Sequence, residues 1–372
     1  MGIGSHEAAC VRRAAGRRGL AMVMVLLVVA VAVVLGMAAV MTSTVRQSGT
    51  HNQALASRAD YLAESGLQHG LWLLRREPES VPDREADALG PYYADDSDDG
   101  YRFYAVPTGE AGRYTIHGIG TCGGIERRAS MTVQFTSEFD DDVRSLGPGT
   151  YWRLSDNDGT ADDAVGSEHG TYHGVSRNRP SGVPHSNDGA AEFDGHNDYI
   201  DLGGLDIEGD EVTFLAWFKA DDWDRDDARI VSKATGTARR DHYWMLSTKQ
   251  RSGETRLRFR LDADGGTKEL IAHTGDCKAG EWVFAAAVYD GERMRLYQNG
   301  VEVGSRRQSG DIETDDDVDA WIGGNPDGAR SRPWDGCIDE VAIFERALSP
   351  SQIRNLWDAR LPEVEILSYG DD

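Results

Sequence analysis

Basic residues are scarce in this 372-residue chain, with 39 Lys and Arg against 63 Asp and Glu and a formal net charge of −24. Residues 1–19 hold four Arg and one Glu, so without them the remainder stands at −27. Phosphate contacts need Lys and Arg, so the balance argues against nucleic acid or an anionic membrane surface as a partner. Cysteine is scarce too. Of four, Cys10 lies near the start and Cys122, Cys277 and Cys337 lie later, an odd number that leaves one thiol over in an oxidising space. Catalytic patterns are missing as well: there is no Gly-rich phosphate loop, and His169, His173, His185, His196, His242 and His273 are scattered without metal-ligand spacing. Proline is absent until Pro78.

That first proline-free stretch contains the longest apolar run. Leu20 to Met41 is 22 residues without a charge, about 33 Å as a helix and enough for a hydrocarbon core of roughly 30 Å. Arg12, Arg13, Arg17 and Arg18 precede it against the single acid Glu7, which predicts a cytoplasmic N-terminus and an exported remainder. A signal peptide cut near Gly36 and Ala38, a twin-arginine signal at Arg17-Arg18 and an uncleaved anchor all fit so far. After Met41 the helical pattern continues, with Leu55, Ala59, Leu62, Ala63, Gly66, Gly70, Leu71 and Leu74 mostly three and four apart. One helix over 20–77 is expected.

The basic leader ending at Arg18-Gly19, the apolar helix from Leu20 and the segment Ala59-Asp-Tyr-Leu-Ala-Glu-Ser-Gly-Leu67 resemble type IV pilin-like proteins of the minor-pilin or pseudopilin class. The resemblance implies cleavage between Gly19 and Leu20 by a prepilin peptidase, anchoring through Leu20–Met41 and association with other pilin-like subunits. Met24 stands at the fifth mature position, where major pilins carry a glutamate. A rare, tip-located or priming subunit is then implied.

Residues 78–136 read as a small β subdomain. Tyr101–Val106, Arg113–Gly118 and Arg127–Thr136 are strand-like, the last with Ala129, Met131, Val133 and Phe135 alternating against polar neighbours. An antiparallel meander on the exposed half of the helix is expected. The run Asp95-Asp-Ser-Asp-Asp99-Gly100 opens like a calcium loop, but Val106 stands where the closing carboxylate belongs, so it reads as a solvated turn. Cys122 reads as an incidental thiol in a turn, and 137–149 as a linker.

From 150 to 361, short aromatic and β-branched runs alternate with Gly, Asn and Asp turns, as in an all-β sandwich. Asn299-Gly300 marks a type I′ hairpin. Residues 362–372 read as an acidic tail. The motifs Ala191–Ile200, Val212–Phe218, Gly280-Glu-Trp-Val283, Leu296-Tyr-Gln-Asn-Gly300, Ile322-Gly-Gly324, Gly336–Ile343 and Ala347–Ile353 resemble the laminin G-like, concanavalin A-like jelly roll. Ser349-Pro350 would open a short helix. The fold expected is therefore mainly β, a long transmembrane helix with a meander head followed by an antiparallel jelly roll.

The jelly-roll resemblance implies several sites. Cys277 and Cys337 occupy positions joined by a cystine in several relatives, which implies a disulfide worth up to about 4 kcal/mol on the chain-entropy model. Pentraxin-like relatives hold Ca2+ in loops that here offer Asp241, Asn325 and Asp327, with Arg239, Arg240 and Arg330 nearby. Trp223 and Trp334 lie in polar loops where they could stack on sugar rings. Glucanases of this fold use Glu-x-Asp-x-x-Glu, and Glu192-Phe-Asp194 with Asn197 leaves that set incomplete. The expectation is a membrane-anchored, extracytoplasmic binding protein for a carbohydrate or surface protein, not an enzyme. An exported glycan hydrolase and a plain anchored surface protein are the rivals.

Overall fold

The computed structural model describes residues 7–94, 98–186, 188–328 and 331–371, with side chains described except at 7–26, 44–48 and 371. A single helix, α1, runs Glu7–Leu74. It starts ahead of the expected Leu20, within the basic leader, because no proline or glycine pair interrupts it there. Gly19 and Leu20 fall inside α1, with side chains outside the described residues.

The two halves of α1 meet different surroundings. Ala59, Ala63, Leu67 and Leu74 are buried, whereas Leu27, Val28, Val34, Leu35, Val40 and Met41 are each more than half exposed. Among the described residues, no helix is long and apolar enough to cross a membrane.

The buried half of α1 lies on an antiparallel sheet. It is formed by β1 (Leu89–Tyr93), β2 (Gly100–Pro107), β3 (Arg113–Cys122) and β4 (Ile125–Thr136), in the order β1-β2-β3-β4 and then the C-terminal strand. The helix backbone comes very close to β3. A Cβ on Gly118 would stand 2.1 Å from the Ala63 carbonyl oxygen, and one on Gly120 would stand 2.0 Å from that of Ala59. Only glycine admits this approach. Cys122 closes β3, buried against Ala59 and Leu62, and donates to Asp99 Oδ2 at 3.2 Å. The run at 95–100, expected as a solvated turn, lies partly outside the described residues.

The segment expected as a linker contains a helix, α2 (Phe139–Ser145), whose Phe139 and Val143 are buried. The sandwich strands follow: β5 (Thr150–Trp152), β6 (Thr160–Ala161), β7 (Gly170–His173), β8 (Ser176–Pro180), β9 (Gly189–Asp194) and β10 (Tyr199–Asp201). Next come β11 (Glu211–Ala220), β12 (Arg229–Ala234), β13 (His242–Arg251), β14 (Glu254–Leu261) and β15 (Lys268–Ile271). The last are β16 (Val283–Asp290), β17 (Arg293–Gln298), β18 (Val301–Arg307), β19 (Ala320–Ile322) and β20 (Asp335–Phe344).

One sheet runs β15-β14-β13-β12-β19-β10-β7-β6 and the other β18-β17-β16-β11-β20-β9-β8, with β5 also paired to β20. Between them lies the main core, built from Trp152, Phe214, Trp244, Phe259, Ile322 and Ile338 among others. The second sheet's outer face carries Trp217, Phe284 and Phe344, covered by α2 and by α3 (Pro350–Ala359). Ser349 caps α3 as its sequence predicts, accepting from the Gln352 amide. Asn299 and Gly300, at φ 52° and 75°, make the β17–β18 turn.

The expected acidic tail is a strand, β21 (Glu363–Asp371), which returns to pair with β4. The chain thus leaves the helix-and-sheet unit, builds the sandwich and comes back. His185 also joins the units: it donates from Nε2 to the Leu74 carbonyl at 2.7 Å, and its ring stacks on Phe135 at 4.1 Å.

Candidate functional site

The residues expected at the sandwich rim are put to other uses. Asn325 is fully buried, and its Oδ1 accepts from Arg229 Nε at 3.1 Å while its Nδ2 donates to Gly236 and to Asp327 Oδ1 at 2.9 Å. Asp241 Oδ2 accepts from the Ala238 amide at 2.8 Å, closing a turn. Asn325 and Asp327 do meet, and Asp241 sits in the 236–241 loop that Asn325 grips. Around them the field is positive. Arg229 and Arg258 are buried and Arg260 nearly so, while Arg330 lies outside the described residues. A hard cation needs six to eight free oxygens, and here the amide oxygen already serves a guanidinium. These residues do not fit calcium.

The rim arginines are answered locally. Asp227 pairs with Arg229 and Arg258, and Glu269 with Arg260 at 2.7 Å. Burial pulls the Arg229 and Arg258 guanidiniums down to about 9, with Arg260 adding to the effect. His242 is held down to about 4 by burial and by Arg229 and Arg260. The neutral ring satisfies both nitrogens: Nδ1 donates to Ala238 at 2.8 Å and Nε2 accepts from Arg229 at 3.3 Å.

Trp334 is 0% exposed and packs in the main core against Phe218, so it cannot meet a sugar. Its loop looked polar, but the chain folds the indole inward. Trp223 is half-buried against Trp334 at 6.2 Å. Cys277 and Cys337 are both buried free thiols, not a disulfide. Strand parity explains the correction. Cys277 belongs to the core between the sheets, as does Ile338, whereas Cys337 alternates to the outer face beside Lys219 and Glu192.

A different set of aromatics lines up where sequence reasoning did not look. On the outer face of the first sheet, His173, Tyr199 and Trp321 stack across β7, β10 and β19, with ring separations of 4.4 and 3.8 Å. His173 and Tyr199 are partly open, and the Trp321 indole N–H is buried without an acceptor among the described residues. The row continues through Ser232, Met245 and Arg260, which are register partners in turn. Alternation was the available signal: Tyr199-Ile-Asp201 and Ala320-Trp-Ile322 each send one side chain outward.

The second sheet's outer face holds an acidic cluster. A β-bulge between Leu215 and Trp217 in the β11–β20 pairing, with Glu340 at φ 51°, turns consecutive Asp339 and Glu340 to one side. Asp339 Oδ2 accepts from Ser181 at 2.6 Å and the Gly182 amide at 2.9 Å, while Tyr151 donates to Glu340. Arg153 pairs with the neighbouring Asp188. Burial, then Asp188, pushes Asp339 up to about 7, and burial with Asp339 raises Glu340 well above the carboxylate range. Asp339 holds Ser181 and Gly182 on the sheet, and Glu340 holds Tyr151.

Glu192 and Asp194 do not form a hydrolytic pair. Glu192 is bound by Arg179, and Asp194 Oδ1 accepts from the His196 amide to close a turn. A retaining pair needs two carboxyls about 5–5.5 Å apart across a bond, and both of these are committed elsewhere.

Residues 194–354 match a laminin G family model described as the concanavalin A-like lectin/glucanases superfamily. Mouse pappalysin-1 is 31% identical over 134 residues, a stretch that is 33% of this chain and 8% of that protein. The chain therefore spans under a tenth of that relative's length. Among solved structures, domain 4 of AbnA, a GH43 extracellular arabinanase from Geobacillus stearothermophilus solved with arabinotriose, is 23% identical, with a TM-score of 0.37 over 60% of this chain and 98% of that one. A SAP-like pentraxin from Limulus polyphemus is 20% identical, with a TM-score of 0.37 over 45% and 80%. The botulinum neurotoxin serotype D ligand-binding domain, solved with N-acetylneuraminic acid, is 16% identical, with a TM-score of 0.42 over 57% and 50%.

The sandwich is a laminin G-like, concanavalin A-like jelly roll, and the family match lies wholly within it. Its family description spans lectins and glucanases. Glu192 and Asp194 are committed to other bonds and do not supply a glucanase-type pair.

Proposed function

We propose that the chain is an exported, membrane-anchored protein of the type IV pilin-like class, a minor pilin or pseudopilin, whose jelly roll binds a carbohydrate or a surface protein. The anchor reading is supported by the charge-free run Leu20–Met41 behind Arg17-Arg18-Gly19, and by exposed apolar side chains from Leu27 to Met41 that water would disfavour. It gives a single pass with the N-terminus cytoplasmic and the sandwich extracytoplasmic. Prepilin peptidase would cut between Gly19 and Leu20, and other pilin-like subunits would pack on the exposed half of α1.

The observation that carries the binding reading is the stacked row His173, Tyr199 and Trp321, with an indole donor in need of an acceptor. Both faces of Tyr199 are covered by its neighbours, so a pyranose ring would meet the exposed edges of the stack. A glycan array probed with the full-length chain, with Tyr199→Ala as control, tests this. Binding lost in the variant supports the reading; identical binding removes the row from it. Reducing ends released from a bound glycan would favour the hydrolase instead. Mass spectrometry of the N-terminus tests the leader: a start at Leu20 is expected, and a start near residue 39 would exclude it.

A further inference from the structure

A groove of about 1400 Å³ runs where the helix-and-sheet unit meets the sandwich, lined by both. Five Lys and Arg line it; Arg153 and Arg179 pair with Asp188 and Glu192, and the other three are each laid on an indole. The Arg76 guanidinium lies 4.6 Å from the Trp72 ring centre, the Lys219 ammonium 5.1 Å from Trp282, and the Arg360 guanidinium 3.5 Å from Trp357. Arg76 and Arg360 donate to the Trp72 and Trp357 carbonyls at 3.3 and 2.7 Å, which fixes their direction. None of the three has a carboxylate within 4.0 Å among the described residues. Asp358, the acid nearest Arg360 in sequence, is bound by Arg354 at 3.2 Å.

The buried rim arginines show the alternative, with Arg229 and Arg258 paired to Asp227 and Arg260 to Glu269. Arg360 instead is pulled down to about 10 by burial, with Arg76 adding repulsion. Cations held flat on aromatic rings lose little further freedom when they bind an anion. The floor adds Trp217, whose indole N–H is buried without an acceptor among the described residues. Exposed Glu77, Glu79, Asp83 and Glu281 also line the groove, so its ligand must meet the cations singly and not as one diffuse positive field.

We infer that this groove binds an acidic oligosaccharide, carboxylated or sulfated, with Arg76, Lys219 and Arg360 as its anion contacts. Oxygen-rich anions supply the counter-charge that these three cations lack. The general negative field of the chain is screened beyond roughly 8 Å at physiological ionic strength, which leaves the local donors to decide. This site lies on the opposite sheet from the His173, Tyr199 and Trp321 row and stands or falls separately from it.

The test is calorimetric titration of the full-length chain in neutral detergent with an oligogalacturonate, a sulfated oligosaccharide of the same length, a neutral maltooligosaccharide and poly-glutamate. Binding of one or both acidic sugars is expected, with no response to the neutral one. Arg76→Gln with Arg360→Gln should weaken it by roughly tenfold or more, Lys219→Gln should weaken it further, and Tyr199→Ala should leave it unchanged. Near-UV circular dichroism establishes that each variant is folded. No binding of either acidic sugar, or equal binding by the folded triple variant, overturns the inference. Poly-glutamate binding as tightly as the sugars would assign the groove to an acidic peptide and overturn it too.

Discussion

Arg229, Arg258 and Arg260 at the rim and Arg76, Lys219 and Arg360 in the junction groove are two trios of cations that differ in what answers their charge. At the rim, Asp227, Glu269 and Asn325 take up every guanidinium. In the groove, indoles and backbone carbonyls hold the cations and no carboxylate does. A satisfied buried network fixes loops in place, whereas an oriented cation without a counter-charge is available to a ligand. The difference separates a scaffold from a recognition surface within one chain.

The comparison can be broken most severely at Asp227. Asp227→Ala strands Arg229 and Arg258 in a buried site, so a loss of about 3–5 kcal/mol is expected in chemical denaturation. A loss below 1 kcal/mol would mean that the rim network is not the scaffold described. Gly120→Ala comes next, because its Cβ would meet the Ala59 carbonyl oxygen at 2.0 Å. Roughly 1–3 kcal/mol should be lost as helix and sheet move apart, and an unchanged melting temperature would contradict the close approach.

A smaller effect is expected from the outer-face carboxyls. Asp339 is raised in the folded chain to about 7 from an ordinary 3.8, so the folded state keeps a proton that the unfolded chain gives up. Its contribution is complete below pH 3.8 and is lost as pH rises through about 7. Asp339→Asn should flatten the fall in stability between pH 3.8 and about pH 7; a variant with the same slope would clear Asp339 of that role. The smallest effect on stability belongs to the groove. Arg76→Gln and Lys219→Gln should each change it by less than about 0.5 kcal/mol, and a larger loss would move them to the scaffold side.

The sandwich was legible because alternating runs and Asn299-Gly300 carry their own geometry, and Ser349-Pro350 marked α3 for the same reason. Other features needed register. Glu363-Val-Glu-Ile366 alternates as a strand should, yet its acids made it look like a tail until β4 supplied a partner. The acids at 140–142 hid α2, although Phe139 and Val143 stand four apart. The pairing of Cys277 with Cys337 failed on which side of a sheet each faces, and Trp334 failed because a polar neighbourhood in sequence was an apolar one in space. The groove was beyond reach, since these three cations come from just past α1, from β11 and from just past α3, and meet only when the chain returns to β21.

Hydrogen exchange with and without a saturating acidic oligosaccharide tests the contrast most directly. The account predicts slowed exchange around 72–77, 217–220, 281–284 and 357–361, and none at 239–242 or 325–328. Protection at the rim with the junction unchanged would contradict it.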